Sequence, residues 1–170
     1  MKTVLRFGLL YGFIECLLQL IWFVTGINRM EKGWVVQLIP SLSIAVIFVM
    51  QAVKQYRLGE GNGFISFGKA FRTALGVLIT GSILISGFNV VNLKFIDTKK
   101  MEIEFQRQIE KMEESGAPEE SIDLAIDARE KYSKPFWLLT MSLLGSVFFS
   151  VVTALILAAV LKKENPEEIR

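Results

Sequence analysis

Glu15 is the residue with the most chemistry to explain. It sits inside an otherwise uncharged apolar run, Phe7 to Ile27. An ionised carboxylate facing hydrocarbon is strongly unfavourable, so this side chain must be protonated, paired or turned into a protein interior. An acid in such a place is a candidate proton or cation relay. Gln19 lies one turn further along the same helical face. Gln37, in a second apolar run, and Asn89 and Asn92, in or beside a third, are the other polar groups able to meet it. No lysine or arginine lies deep enough in a run to form an obvious salt bridge. The plainer alternative is a neutral acid that ties helices together, a bond worth about 0.6–2 kcal/mol. The residue types favour that plainer role.

Other constellations are weaker. Gly63 and Gly68-Lys69 have the spacing of a phosphate-binding loop, but residue 70 is Ala, so the hydroxyl that holds magnesium is missing. Bulky apolar side chains also fill the stretch that would wrap phosphate, so no nucleotide is expected. Asp123 and Asp127 are one helical turn apart, a spacing typical of a solvated face at this charge density. The chain has no His and one Cys, which removes the usual acid–base and metal-ligand sets. No catalytic triad, metal site or cofactor is expected, and an enzyme is not expected. A net charge of +2 is too small to argue for nucleic acid.

The elements that position these residues follow from charge segregation. Hydrophobic types make up 52% of the chain, and long stretches carry no charge at all. Four apolar runs stand out, with spans expected at about 7–27, 34–53, 74–95 and 136–161. Each is long enough to cross about 30 Å of hydrocarbon as a helix. An open strand would leave its backbone unpaired in lipid, so helices are required. The first run is too long for a signal-peptide core, and Val24-Thr25-Gly26 makes a poor cleavage site. The expected fold is all-α: one integral membrane domain over residues 1–170, a four-helix transmembrane bundle with an extramembrane helical hairpin at 96–134.

Basic residues set the expected orientation. Lys2, Arg6, Lys54, Arg57, Lys69, Arg72, Lys162, Lys163 and Arg170 all fall on the side of the termini. Those on the other side lie mostly in one long segment that is also rich in acids. Both termini are therefore expected in the cytoplasm.

The long segment reads as an outward hairpin. With no Gly or Pro between Phe88 and Ser115, the third helix is expected to run unbroken into an arm from Phe95 to Glu114, about 30 Å long. Met101, Phe105, Ile109 and Met112 line one face of that arm, a candidate face for a protein partner. Ser115-Gly116-Ala117-Pro118 supplies a stop and a restart. Glu119 and Glu120 suit the first turn of the returning arm, about 25 Å long, whose apolar face holds Ile122, Ala125, Ile126 and Tyr132. At the opposite end, Phe64, Phe67 and Phe71 share one helical face, with Lys69 and Arg72 placed to reach lipid phosphates. This stretch is expected to form an interfacial helix feeding the third span.

Small residues recur every fourth position. Gly8, Gly12 and Cys16 do so in the first span, and Ser142, Ser146, Ser150, Ala154 and Ala158 in the fourth. Such stripes let helices approach closely, either within the bundle or between two copies. Pro40 is expected to kink the second span and free the carbonyl near Val36.

The stretch Gly63-Phe64-Ile65-Ser66-Phe67-Gly68-Lys69-Ala70-Phe71, after a glycine cluster, resembles the hallmark of the domain of unknown function 4199 family, a bacterial group of four-span membrane proteins. Phe7-Gly8-Leu9-Leu10-Tyr11-Gly12 is similar to its first span. Lys111-Met112-Glu113, Gly116, the paired acids, Ile122 and Lys134-Pro135 are similar to its outer segment and last span. Where members usually place a polar cap before the paired acids, this chain has Ala117 and Pro118. The resemblance implies a bacterial inner membrane and carries no activity or functional residue with it. Two function classes stand: a structural or interaction protein of the cell envelope, engaging lipid and a protein partner or second copy, and a small transporter or proton-coupled device centred on Glu15. The first is preferred, because four short spans with one buried acid make a thin transporter.

Overall fold

The computed structural model describes residues 2–27, 33–132 and 134–164. Arg170, among the basic residues weighed above, lies outside them. Six helices follow one another: α1 (Lys2–Thr25), α2 (Gly33–Gly59), α3 (Phe67–Val91), α4 (Lys100–Glu114), α5 (Glu119–Tyr132) and α6 (Pro135–Leu161). Helices α1, α2, α3 and α6 are long and apolar enough to cross a membrane. They overrun the apolar sequences at several ends, because backbone hydrogen bonding continues where hydrocarbon stops. Helix α2 carries on through Lys54 and Arg57, and α3 begins seven residues before its uncharged run.

The bundle is apolar on its outside. Phe13, Ile39, Phe148 and Val160 are all more than half exposed. In water so large an apolar surface would drive association, whereas lipid tails solvate it. This is a helical bundle with the surface of a multi-pass membrane protein.

Helix α3 is the central element, packed between α1 and α6, with α2 laid across. Its contact with α1 rests on missing side chains. A Cβ on Gly12 would lie 2.9 Å from the Gly81 carbonyl oxygen and 3.0 Å from its Cα. On the other side, Ala154 and Ala158 of α6 are fully buried and Ser150 nearly so. The small-residue stripes thus serve contacts inside the bundle, the commoner of the two uses that the sequence leaves open. Two hydroxyl pairs cross the α3–α6 seam: Ser142 donates to Ser86 at 3.0 Å, and Ser82 and Ser150 lie 3.4 Å apart. Ser142→Ala is expected to cost only about 0.6 kcal/mol, measured by reversible unfolding in mixed micelles.

The dry core occupies the end of the bundle that carries the chain termini. Val49, Ala52 and Val53 of α2 meet Ala70, Ala74, Val77 and Leu78 of α3 and Leu157 of α6 there. The connection below it closes onto the end of α6. Ile65 and Lys163 exchange backbone hydrogen bonds of 2.8 and 2.9 Å, and the Lys163 ammonium lies over the Phe64 ring. Asn62 and Gly63 take positive φ to make this turn. Phe64 is therefore not helical, contrary to the expected interfacial helix. Helix α3 starts at Phe67 after the extended Ser66, and Phe67 stacks on Phe71 one turn later. Pairing with the α6 tail claims Ile65 before a helix can include it. Ile65, within the stretch that has the phosphate-loop spacing, is buried.

The third span does not continue into the hairpin. Helix α3 ends in a π-helical turn, Asn92–Ile96, and Asp97 then leaves helical geometry at φ −113° and ψ 62°. The Asp97 N–H bonds the Asn92 carbonyl at 2.7 Å, and Asp97 is fully buried. A wide turn and a buried acid do here what Gly or Pro usually does. The arms are correspondingly shorter than expected: α4 has 15 residues and α5 has 14, about 20 Å each. Their connection matches expectation. Gly116 has φ +73°, Ala117 N–H bonds the Met112 carbonyl and Gly116 N–H bonds that of Glu113, the double bond of a glycine-ended helix. Pro40 lies within α2, which runs from Gly33 to Gly59 through it.

Candidate functional site: a polar cavity and an outer hairpin

Above the dry core the bundle interior turns polar. Glu15, Gln19 and Trp22 follow one another up one face of α1, at i, i+4 and i+7. Gln37 and Ser41 do the same on α2, and Asn89 and Asn92 on α3. These side chains, with Lys100 from the start of α4, line one cavity of about 170 Å³. All five polar residues singled out from sequence meet there. Trp22, Ser41 and Lys100 were not anticipated.

The cavity has a floor and a mouth. Glu15 lies midway along α1, and Ser41 of α2 lines the same cavity. Trp22 is about 10 Å higher along the helix. Glu15 and Asn92 are each about 95% buried, yet Glu15 Oε1, Gln19 Oε1 and Asn92 Oδ1 have no hydrogen-bond partner. Buried acceptors left unpaired cost about 1–3 kcal/mol each. The π turn at Asn92 helps create the arrangement, because widening the helix rotates that amide relative to Asn89; such turns are frequent at functional sites. Among the described residues, no group of three or more His, Cys, Asp or Glu side chains is placed to hold a metal. Cys16 is buried as a free thiol.

The hairpin forms a second candidate surface. Met101, Phe105, Ile109 and Met112 are half-buried along one face of α4. Arg129 of α5 reaches back to pair with Glu102 and places its guanidinium 4.4 Å over the Phe105 ring. Met101, Phe105, Ala125, Arg129 and Leu138 line a cavity of about 400 Å³ between the hairpin and the start of α6. The expected α5 face is only partly inward. Ile122 and Ala125 are half-buried, Ile126 is exposed along with Leu124, and the Tyr132 side chain lies outside the described residues. Asp123 and Asp127 are exposed, as a wet face predicts.

No curated protein and no solved structure matches this chain. A protein-family model does, and it takes in the glycine turn, the cavity-lining helices and the hairpin alike. Its match runs over residues 6–163, so the chain belongs to the family described as protein of unknown function (DUF4199).

Proposed function

We infer that this is a multi-pass protein of a bacterial inner membrane, with both termini cytoplasmic, that acts as an interaction protein of the cell envelope. The observation that carries the reading is the hairpin. It stands outside the apolar bundle, its α4 face is incompletely covered, and Leu124 and Ile126 are exposed on α5 by 63% and 47%. A polar, charged segment that leaves apolar side chains uncovered outside the membrane is suited to a partner protein or a second copy. Lys54, Arg57, Lys69, Arg72 and Lys162 cluster at the opposite end, which supports placing that end in the cytoplasm. Replacing residues 98–133 by a short flexible linker is expected to remove the crosslinked partners recovered from native membranes while the bundle remains inserted. An unchanged set of partners would refute the role.

The polar cavity favours a second reading, a small transporter or proton-coupled device centred on Glu15. Purified protein in liposomes is then expected to carry an ion flux that Glu15→Gln abolishes. Flux equal to protein-free liposomes would end it.

A further inference from the structure

We propose that the cavity between the C-terminal ends of α2 and α6 is a binding site for one anionic phospholipid, its phosphate held by Lys54 and Arg57 and its acyl chains laid along the apolar outside of the bundle. The leaflet that supplies the lipid follows from the orientation proposed above. The site itself needs only a membrane around the four spans.

The cavity sits at the level of a lipid phosphate. Lys54 is the first charged residue after the uncharged run Trp34 to Val53, and Leu161 is the last residue of α6 before Lys162. Both helices therefore pass from hydrocarbon to headgroups here. Met50, Val53, Lys54 and Arg57 fall at i, i+3, i+4 and i+7 on one face of α2. With Gln51 and Leu161 they line a cavity of about 200 Å³. Met50 and Arg57 are about 10 Å apart along the helix, the apolar residue toward the middle of the bilayer and the cation toward water. A phospholipid beside the helix has the same polarity in the same direction.

Both cations are available. Among the described residues neither Lys54 nor Arg57 pairs with an acid, whereas Lys162 is held by Glu164 at 3.4 Å. No acid among those residues lines the cavity, and Glu60 lies beyond the end of α2. The two side chains are not needed to finish the helix either. The Tyr56 carbonyl already accepts the N–H groups of Glu60 and Gly61, and the Arg57 carbonyl that of Gly63. An arginine fork can grip two phosphate oxygens while a lysine adds a point charge. Phosphatidylcholine would bring its own ammonium group beside both cations, so the site favours a headgroup of net negative charge.

The remaining walls suit the rest of such a molecule. Val53, on the bundle side, is 2% exposed and closes the cavity with carbon. A cavity of about 150 Å³ in another protein accommodates the six heavy atoms of benzene. The present space therefore holds a phosphate and the first carbons of a glycerol. Ile47 continues the α2 strip one turn toward the bilayer middle and is exposed, a surface for an acyl chain.

The test uses the full-length protein in nanodiscs of nine parts phosphatidylcholine to one part phosphatidylglycerol, with native mass spectrometry counting the lipids each chain retains. One phosphatidylglycerol per chain is expected, enriched roughly tenfold over its share of the disc. Retention in proportion to abundance would overturn the proposal without recourse to any variant. Lys54→Gln combined with Arg57→Gln is expected to abolish the enrichment. Lys69→Gln combined with Arg72→Gln removes the same charge from exposed positions outside the cavity and is expected to preserve it. Equal losses in the two double variants would mean a general attraction to the basic end, and would overturn the site. Excess glycerol 3-phosphate is expected to leave the lipid in place. Displacement would make a soluble phosphate compound the occupant and overturn the assignment to lipid. Nanodiscs expose both faces, so none of these results depends on orientation or on the hairpin: lipid retained with partners unchanged on hairpin removal refutes the interaction role alone.

Discussion

Gly12→Val is expected to lower the melting temperature of the detergent-solubilised protein by roughly 6–12 °C, about 3 kcal/mol for a chain of this size. The effect follows from where the new atoms go. A Cβ at residue 12 comes within 3.0 Å of both the carbonyl oxygen and the Cα of Gly81, and within 3.1 Å of Leu84 Cβ. The first two are backbone atoms that cannot rotate aside, so α1 must lift away from α3. That movement also pulls Glu15 and Gln19, on the next turns of α1, away from Asn89 and Asn92. Gly145 and Gly87 provide the controls. A Cβ at either meets nothing within 4 Å, so alanine there is expected to be neutral or to raise stability by up to about 1 kcal/mol through helix propensity. Equal effects at Gly12 and Gly145 would mean that the α1–α3 contact is not as close as described.

Ala158→Leu is expected to cost about 1–3 kcal/mol in the same measurement, because the extra carbons enter a seam with no free space. Ala158 is fully buried against α3, in contact with the cluster of Val49, Val53 and Ala74. Two residues on, Val160 is 73% exposed on the outward face of the same helix. Val160→Leu there is expected to change stability by less than about 0.5 kcal/mol. The contrast separates packing within the bundle from hydrophobicity as such, since both changes add apolar volume to one helix. A dimer built on the α6 stripe would reverse none of this, but it would make the loss at residue 158 depend on protein concentration. The intramolecular seam predicts no such dependence.

The four spans are legible in the sequence because hydrocarbon excludes charge so strictly that helix-length gaps in the charge pattern can hardly mean anything else. The floor of the cavity is legible for the converse reason: Glu15, Gln19, Gln37, Asn89 and Asn92 are conspicuous inside or beside apolar runs. Ser41 is not, because serine is an ordinary small residue of membrane helices, although its place one turn from Gln37 marks the same face. Trp22 likewise sits seven residues from Glu15, yet a tryptophan near a helix end reads as an interface anchor. Lys100 was beyond reach. Its position depends on the break at Asp97, and that break uses a π turn and a buried acid instead of Gly or Pro. Periodicity misleads at Phe64 in the same way. Its spacing from Phe67 and Phe71 is helical, but the long-range pairing of Ile65 with Lys163 decides the local backbone.

The proposed function depends on α3 carrying the chain from one face of the membrane to the other, and the orientation proposed above puts the glycine turn inside and the hairpin outside. Cysteines introduced singly at Glu60 and Glu113, both exposed, place a thiol at each end of that crossing. The native Cys16 is buried, which keeps the background low. With a membrane-impermeant maleimide applied to intact spheroplasts, Glu113→Cys is expected to label at once and Glu60→Cys only after the membrane is opened. Labelling of both from outside would contradict the crossing, and labelling of residue 60 alone would reverse the orientation.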